Sequence, residues 1–212
     1  MRVTVPHGPG QEMLLGPVTD FLQKHRRVTV EWLFHDTKPE FLADQVDCAI
    51  QFGRPTNPSH VAIELGCLSR IVVAAPQLLT NYSSDDCRAL SSAPWLMLKT
   101  QFRSSNAIVL NNRKSAGTCE IPISPRFITD SLFALRSAAI NEMGLCVGSE
   151  WIFSQELEKG ILANALPGWY ASPLNIYIVY PYARHYSAKL RLFVASVRDG
   201  IRSTTLNTAR QQ

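Results

Sequence analysis

The stretch Val46-Asp47-Cys48-Ala49-Ile50-Gln51-Phe52-Gly53-Arg54 decides the fold. Its centre, Cys48-Ala49-Ile50, is a short apolar run flanked by polar Asp47 and Gln51. A run this short suits a strand buried on both faces of an α/β sheet better than it suits a helix. Gly53 ends it, because glycine reaches backbone angles that other residues avoid, and Arg54-Pro55 leads into a loop. Ligands of open α/β sheets meet the carboxyl ends of strands, which makes Phe52, Gly53 and Arg54 a candidate binding edge. A core strand with an ordinary exit turn would look the same, so function has to be argued from further residues.

On the amino-terminal side, residues 2–6 predict a strand, and His7-Gly8-Pro9-Gly10 predicts a loop before a helix. Leu14, Leu15, Val18, Phe21 and Leu22 make one apolar stripe on that helix, and Pro17 sets its regular start near Gly16. Residues 28–34 predict a second strand closed by His35-Asp36-Thr37. Asp36 or Thr37 is placed to cap a short helix through Gln45, with Pro39 in its first turn. The order β-α-β-α-β predicts a parallel, doubly wound sheet. Gly8-Pro9-Gly10 followed by acidic Asp36 imitates a dinucleotide-binding fingerprint. Met13 stands where its third glycine belongs, however, and Pro9 removes a backbone donor. No cofactor is expected. What remains is the general preference of backbone N–H groups at a helix start for an anion.

On the carboxyl side, residues 61–65 and 69–75 predict two strands, and 76–79 and 85–90 two short helices. Residues 95–99, 107–110 and 126–128 predict strands, with a turn near 115–117. Thr129-Asp130-Ser131 predicts the cap of a helix carrying Leu132, Leu135, Ala139 and Ile140, ended by Gly144. A buried strand at 145–147 stops at Gly148-Ser149. A helix at 151–159, strands at 161–166 and 176–180, and a last helix at 183–200 follow, with a frayed polar tail after Ile201.

The 212 residues suffice for one large domain or two compact lobes. Hydrophobic residues make up 46% and charged residues 18%, ordinary for a globular protein, and no apolar run reaches the roughly 18 residues of a membrane span. The net charge of +4, with no basic block denser than Lys24-His25-Arg26-Arg27, favours anionic small molecules over nucleic acid. Cys48, Cys67, Cys87, Cys119 and Cys146 fit neither a zinc pattern nor a disulfide framework. Buried thiols in a reducing cytoplasm are expected, with a redox pair as the alternative. Met1-Arg2 runs into the first strand without a secretion signal, as expected of a segment of something longer. No Gly-x-Ser-x-Gly or His-Glu-x-x-His appears, and Glu150, Glu156 and Glu158 suggest a solvated helix face. The chain is therefore not expected to be an enzyme or to hold a metal.

The order of elements resembles the effector-binding domain of LysR-type transcription regulators. The resemblance rests on the strand–loop–helix of residues 3–25, on Val46 to Gly53, on the helix–glycine–strand of 130–149, and on Tyr177-Ile178-Val179-Tyr180-Pro181 with Arg184, His185, Ser187, Lys189, Arg191 and Phe193. It implies an α/β fold of two Rossmann-like lobes joined by two crossing strands, like type 2 periplasmic binding proteins. Lobe I would hold residues 1–68 plus 178–212, and lobe II residues 69–177. A small polar or anionic effector would bind between the lobes and modulate DNA binding by an amino-terminal winged helix-turn-helix outside this chain.

The resemblance places effector contacts at His7, Gly8, Pro9, Gly10, Gln11, Asp36, Thr37, Phe52, Gly53, Arg54, Thr100, Gln101, Phe102, Thr129, Asp130, Ser131, Gly148 and Ser149. Many members carry a serine in the first loop, where this chain has His7 to Gly10, and an arginine at the place of Gln51. These departures weaken the case for a simple carboxylate, although His7, His35 and Arg54 can supply positive charge. The resemblance also implies a cytoplasmic homodimer, with a tetramer open to the full-length protein, away from membranes. In it the helix of residues 11–25 of one subunit would lie beside the helix of 130–141 of the other, with Gly16, Ala134, Ala138 and Ala139 as its small residues. The alternative from another class is a freestanding solute-binding protein of a transporter.

Overall fold

Three short parallel strands organise the amino-terminal part. A computed structural model describes residues 1–35, 40–80, 82, 86–99 and 107–209. The chain begins with β1 (Arg2–Val5), α1 (His7–Gln11), α2 (Leu15–Lys24), β2 (Glu31–Phe34) and β3 (Cys48–Phe52). Then come β4 (His60–Ala74), α3 (Pro76–Leu79), a 3-10 turn (Cys87–Ser92), β5 (Trp95–Leu98), β6 (Ala107–Asn112), β7 (Thr118–Pro122) and β8 (Pro125–Thr129). It ends with α4 (Leu132–Ile140), β9 (Cys146–Ser149), a second 3-10 turn (Glu150–Phe153), α5 (Ser154–Glu158), β10 (Ala163–Asn164), β11 (Trp169–Pro181) and α6 (Ala188–Ala209). These elements make two units, one of Met1–Cys67 with Leu174–Gln212 and one of Leu68–Pro173.

In the first unit β1 lies between β2 and β3 and pairs with both in parallel, Val5 opposite Phe34 and Thr4 opposite Ala49. β11 pairs antiparallel with β3, Ile176 opposite Phe52 and Val179 opposite Ala49. Alternate residues of these strands feed two cores, as a sheet covered on both faces requires. Val3, Val5, Cys48, Ile50, Ile176 and Ile178 pack with Val18 and Phe21 of α2 and with Phe193 and Val197 of α6. Ala49, Tyr177 and Val179 pack on the other side with Phe41 and Val46. The α2–α6 contact is tight: Phe21 and Phe193 meet edge to face at 5.3 Å, and a Cβ on Gly200 would come 2.5 Å from Cγ of Pro17.

In the second unit β4 pairs antiparallel with β9 and β10, β6 with β7 and with the start of β11, and β5 runs parallel to β8. Val72, Trp95, Leu110, Ile121 and Val147 build one core, and Ile71, Val73, Leu96, Leu135 and Phe153 another. Arg136 makes two hydrogen bonds to Glu156, from Nε at 3.0 Å and Nη2 at 2.5 Å, joining α4 to α5.

Several sequence expectations are corrected. Residues 61–65 and 69–75 form the single strand β4, because Leu65 and Leu68 are buried on either side of Gly66 and pairing with β9 carries the chain onward. β11 starts at Trp169 rather than Ile176, its first residues pairing with β6 and its last with β3. Ile176 and Tyr177, assigned to lobe II from the sequence, pack in the first unit. β7 had no counterpart in the reading, although its residues alternate exposed and buried. Residues 41–45 are turns rather than helix, with Gln45 at φ 52°. Glu142, at φ 59°, ends α4 in place of Gly144, which lies against the Pro94 carbonyl where no side chain fits. Residues 85–90 give a 3-10 turn at Cys87–Ser92, and 151–159 split into the second 3-10 turn and α5. The strand expected at 161–166 shrinks to β10 because Ile161 and Leu162 donate to the Glu156 carbonyl and close the α5 turn. The last helix starts at Ala188, not residue 183, and its backbone stays helical past Ile201 to Ala209. Among the cysteines, Cys87 and Cys119 form a disulfide; Cys48 and Cys146 are buried thiols and Cys67 is exposed.

Candidate functional site

The parallel order of β1, β2 and β3 brings their carboxyl ends to one edge of the first unit, and the chain leaves each end differently. After β1, Pro6 leads directly into α1, so the expected loop of His7 to Gly10 is a helical turn in which Gly10 N–H donates to the Pro6 carbonyl at 3.0 Å. Gly8, Pro9 and Gly10 are buried, and a Cβ on Gly10 would collide with Val5. Gly10 is thus explained by close packing. His7 and Gln11, at the two ends of the turn, are exposed.

The His7 ring stacks on Phe34, the last residue of β2, with centroids 5.4 Å apart and planes 26° from parallel. Phe34 is itself 40% exposed. Trp32, two residues earlier on β2, donates from Nε1 to the Gly10 carbonyl at 3.0 Å and fixes α1 onto the strand. Phe34 was missed in the sequence because an aromatic residue closing an apolar strand reads as core. Its position opposite Val5, next to the β1 exit, is the signal that could have found it.

After β3, Gly53 adopts φ 74°, a conformation that side chains resist. Its N–H donates to the Asn175 carbonyl at 2.8 Å, and the Gln51 side-chain amide donates to its carbonyl at 3.2 Å. Gln51 therefore braces the turn. Phe52 is half-buried and Arg54 exposed. Thr37, Thr100, Gln101 and Phe102, like Asp36, lie outside the described residues.

The candidates of the second unit are engaged in their own fold. Thr129 Oγ1 accepts from the Ser131 N–H at 3.0 Å, and Ser131 Oγ accepts from the Ala134 N–H at 3.2 Å, capping α4 as the sequence predicts. Asp130 is exposed. Gly148 has a packing reason: a Cβ there would sit 2.5 Å from Cε2 of buried Phe153. Ser149 is buried and pairs with Arg70 across β9 and β4. A groove of about 170 Å³ lies elsewhere, lined by Tyr180, Tyr186, Leu190, Arg191 and Arg198. Its Tyr180 is at the end of β11 away from Asn175 and Gly53, so this groove is separate from the edge described above.

Among the described residues no group of three or more His, Cys, Asp and Glu could hold a metal, and no helix is long and apolar enough to cross a membrane. Hydrogen bonds from Arg136 hold Glu156 below the usual carboxylate range, and burial pushes the Cys48 thiol and the Tyr180 hydroxyl up.

The LysR substrate binding domain family matches residues 1–202. The chain belongs to that family. It is 27% identical over 202 residues to the uncharacterized HTH-type transcriptional regulator YhjC of Escherichia coli, covering 92% of this chain and 65% of the relative. It is 22% identical over 200 residues to the HTH-type transcriptional regulator PtxR of Pseudomonas aeruginosa, covering 94% and 63%. The chain thus spans less than two thirds of these relatives' lengths. Among solved structures, the full-length Vibrio cholerae virulence activator AphB superposes with a TM-score of 0.81 at 23% identity, covering 93% of this chain and 67% of that one. The regulatory domain of CrgA from Neisseria meningitidis gives 0.80 at 18% identity, covering 95% and 98%. The mixed α/β fold is that of LysR regulatory domains.

Proposed function

We propose that this LysR domain senses a small polar or anionic molecule at the carboxyl-end edge of β1, β2 and β3, and relays its presence to a winged helix-turn-helix of a longer cytoplasmic protein. The observation that carries the reading is the exposed His7 ring stacked on exposed Phe34 at the exits of two adjacent parallel strands. Gln11, Phe52, Gly53 and Arg54 complete the edge, with Arg54 as the cationic group for an anion and His7 as a ring that can hydrogen-bond it. The domain works by binding rather than by catalysis. Its ligand shifts a conformational equilibrium only by the difference in affinity for the two states.

Thermal-shift screening of small anions and aromatic acids tests this. A ligand at 100 times its dissociation constant adds about 2.7 kcal/mol to stability. NMR shift changes on binding should fall on His7, Phe34 and Arg54. Changes confined to the groove beside Tyr180 and Arg198 would refute the assignment.

The regulator acts as a homodimer in this reading, with α2 of one subunit beside α4 of the other. Gly16 is exposed with nothing within 4 Å of an added Cβ, and Leu15 beside it is 43% exposed. Ala138 and Ala139, expected at the contact, are buried in their own unit's core, so α4 offers Ala134 instead. Sedimentation showing only monomer at high micromolar concentration would exclude this dimer.

A further inference from the structure

Cys87 and Cys119 are 32 residues apart, with Cα atoms 6.6 Å apart, and their bond fastens the first 3-10 turn to β7. Intracellular proteins seldom keep a permanent disulfide, because low-molecular-weight thiols reduce it; those that form there are mostly transient and regulatory. We propose that Cys87–Cys119 is a reversible thiol–disulfide exchange site, reacting with a glutathione-class thiol and its disulfide, that sets how firmly β5 and the start of α4 are held. The inference rests on the cytoplasmic reading above and is independent of which effector binds.

The chemistry balances without a cofactor. A thiolate of the small thiol attacks Cys87 Sγ; the sulfur–sulfur bond breaks and Cys119 leaves as a thiolate that takes a proton. A second small thiolate attacks the outer sulfur of the mixed disulfide and releases Cys87. Two small thiols become one small disulfide, and two electrons pass to the protein. The reverse sequence re-forms the bond.

Both cysteines are buried, so exchange needs a local opening, and one partner sits in an element suited to it. The 3-10 turn is six residues long, a geometry with poor hydrogen bonds. It is held by Ala89 N–H to the Asp86 carbonyl at 3.1 Å and by Arg88 N–H to the Asp86 carboxylate at 2.9 Å. The remaining thiols are poor competitors. Burial pushes both the Cys48 and the Cys67 thiol up, away from the reactive thiolate, and Cys146 is buried.

A chain of contacts within the second unit runs from the bond to candidate residues. Leu90 of the same turn accepts a 2.8 Å hydrogen bond from Nε1 of fully buried Trp95, the first residue of β5. β5 pairs with β8 up to Leu98 opposite Thr129, and Lys99 N–H donates to the Thr129 carbonyl at 2.7 Å. Thr129 in turn supports Ser131, the α4 cap. Releasing Cys87 loosens the turn on which Trp95 is anchored, and β5 with it.

The test equilibrates the 212-residue chain in glutathione buffers from all thiol to all disulfide, then traps thiols by acid quench, unfolding and alkylation before mass spectrometry. The expected result is a two-thiol transition confined to Cys87 and Cys119 in a chain that keeps its circular dichroism spectrum. Amides of Leu96 to Leu98 and of Thr129 to Ser131 should then exchange on the order of tenfold faster in the reduced form. The Cys87→Ser/Cys119→Ser variant should exchange like reduced protein; if it does not fold, the two forms of the unaltered chain still give the comparison. A bond that breaks only in denaturant, thiols that stay free in every buffer, or equal exchange in the two forms would each overturn the proposal. None of these outcomes bears on effector binding at His7 and Phe34.

Discussion

The two units treat their sequence-predicted contact residues in opposite ways. In the first unit, His7 and Arg54 stand exposed at strand exits, and the His7 ring stacks on Phe34, which the sequence did not single out. In the second unit, Thr129, Ser131, Gly148 and Ser149 cap a helix, make room for Phe153 or sit in the β4–β9 ladder. A residue at the right place in a fold can be there for ligand or for structure, and its partners decide which. Substitutions in the second unit should therefore cost stability, and those at the first unit's edge should cost binding.

The largest stability effect is expected at Arg136. Its partner Glu156 has a side chain 8% exposed, so Arg136→Ala leaves a carboxylate buried without its donor, a loss of about 3 kcal/mol. Urea unfolding measures it. The same pair predicts an acid limb. The folded-state pKa of Glu156 lies below its ordinary value of 4.5, through the hydrogen bonds from Arg136. Its contribution is therefore complete above that value and is lost as pH falls through the folded pKa. Arg136→Ala should shrink this limb of the stability–pH curve below pH 4.5, leaving the smaller effects of the backbone hydrogen bond and Lys159. An unchanged acid limb would show that the pair contributes little.

Gly148 and Gly53 come next, since both looked like ligand-edge glycines in the sequence. Gly148→Ala pushes a Cβ into the ring of fully buried Phe153, costing about 2 kcal/mol by overpacking. Gly53→Ala forces a side chain into the left-handed backbone at φ 74°, costing about 1 kcal/mol. Denaturant midpoints of the two variants rank them. A reversed order would mean that Phe153 yields easily and that the packing explanation of Gly148 is weak.

What could be read from the sequence follows the same division between local and distant causes. Cys48-Ala49-Ile50 marks β3 because a buried parallel strand is written in consecutive residues. β1 and β2 follow from their spacing around the α2 stripe. Gly66 and Pro173 look like breaks, yet β4 and β11 run through them because partners on either side hold the strand, which no local pattern records. β7, with Thr118, Glu120 and Pro122 on its exposed face, had no counterpart in the sequence reading. The Cys87–Cys119 bond is invisible to spacing, since its ends are 32 positions apart and only the folded unit brings them together. At the candidate edge His7 and Arg54 were legible as polar residues after strands, whereas Phe34 was not.

The smallest stability effect and the sharpest functional one belong to His7. Its side chain is exposed and its ring contact is with a half-open phenylalanine, so His7→Ala should change stability by less than about 0.5 kcal/mol, the usual range for surface positions. Removing it nonetheless strips one face of the aromatic pair and one hydrogen-bonding ring from the edge. The stabilisation by a ligand found in the screen should then shrink or vanish in thermal-shift titration, while Gly148→Ala, although less stable, should keep it. If His7→Ala binds as tightly as the unaltered chain and Gly148→Ala does not, the two units have exchanged roles and the ligand belongs with Ser131 and Ser149. That crossed pattern separates the readings because it compares ratios of bound to free stability, which a general loss of fold leaves unchanged.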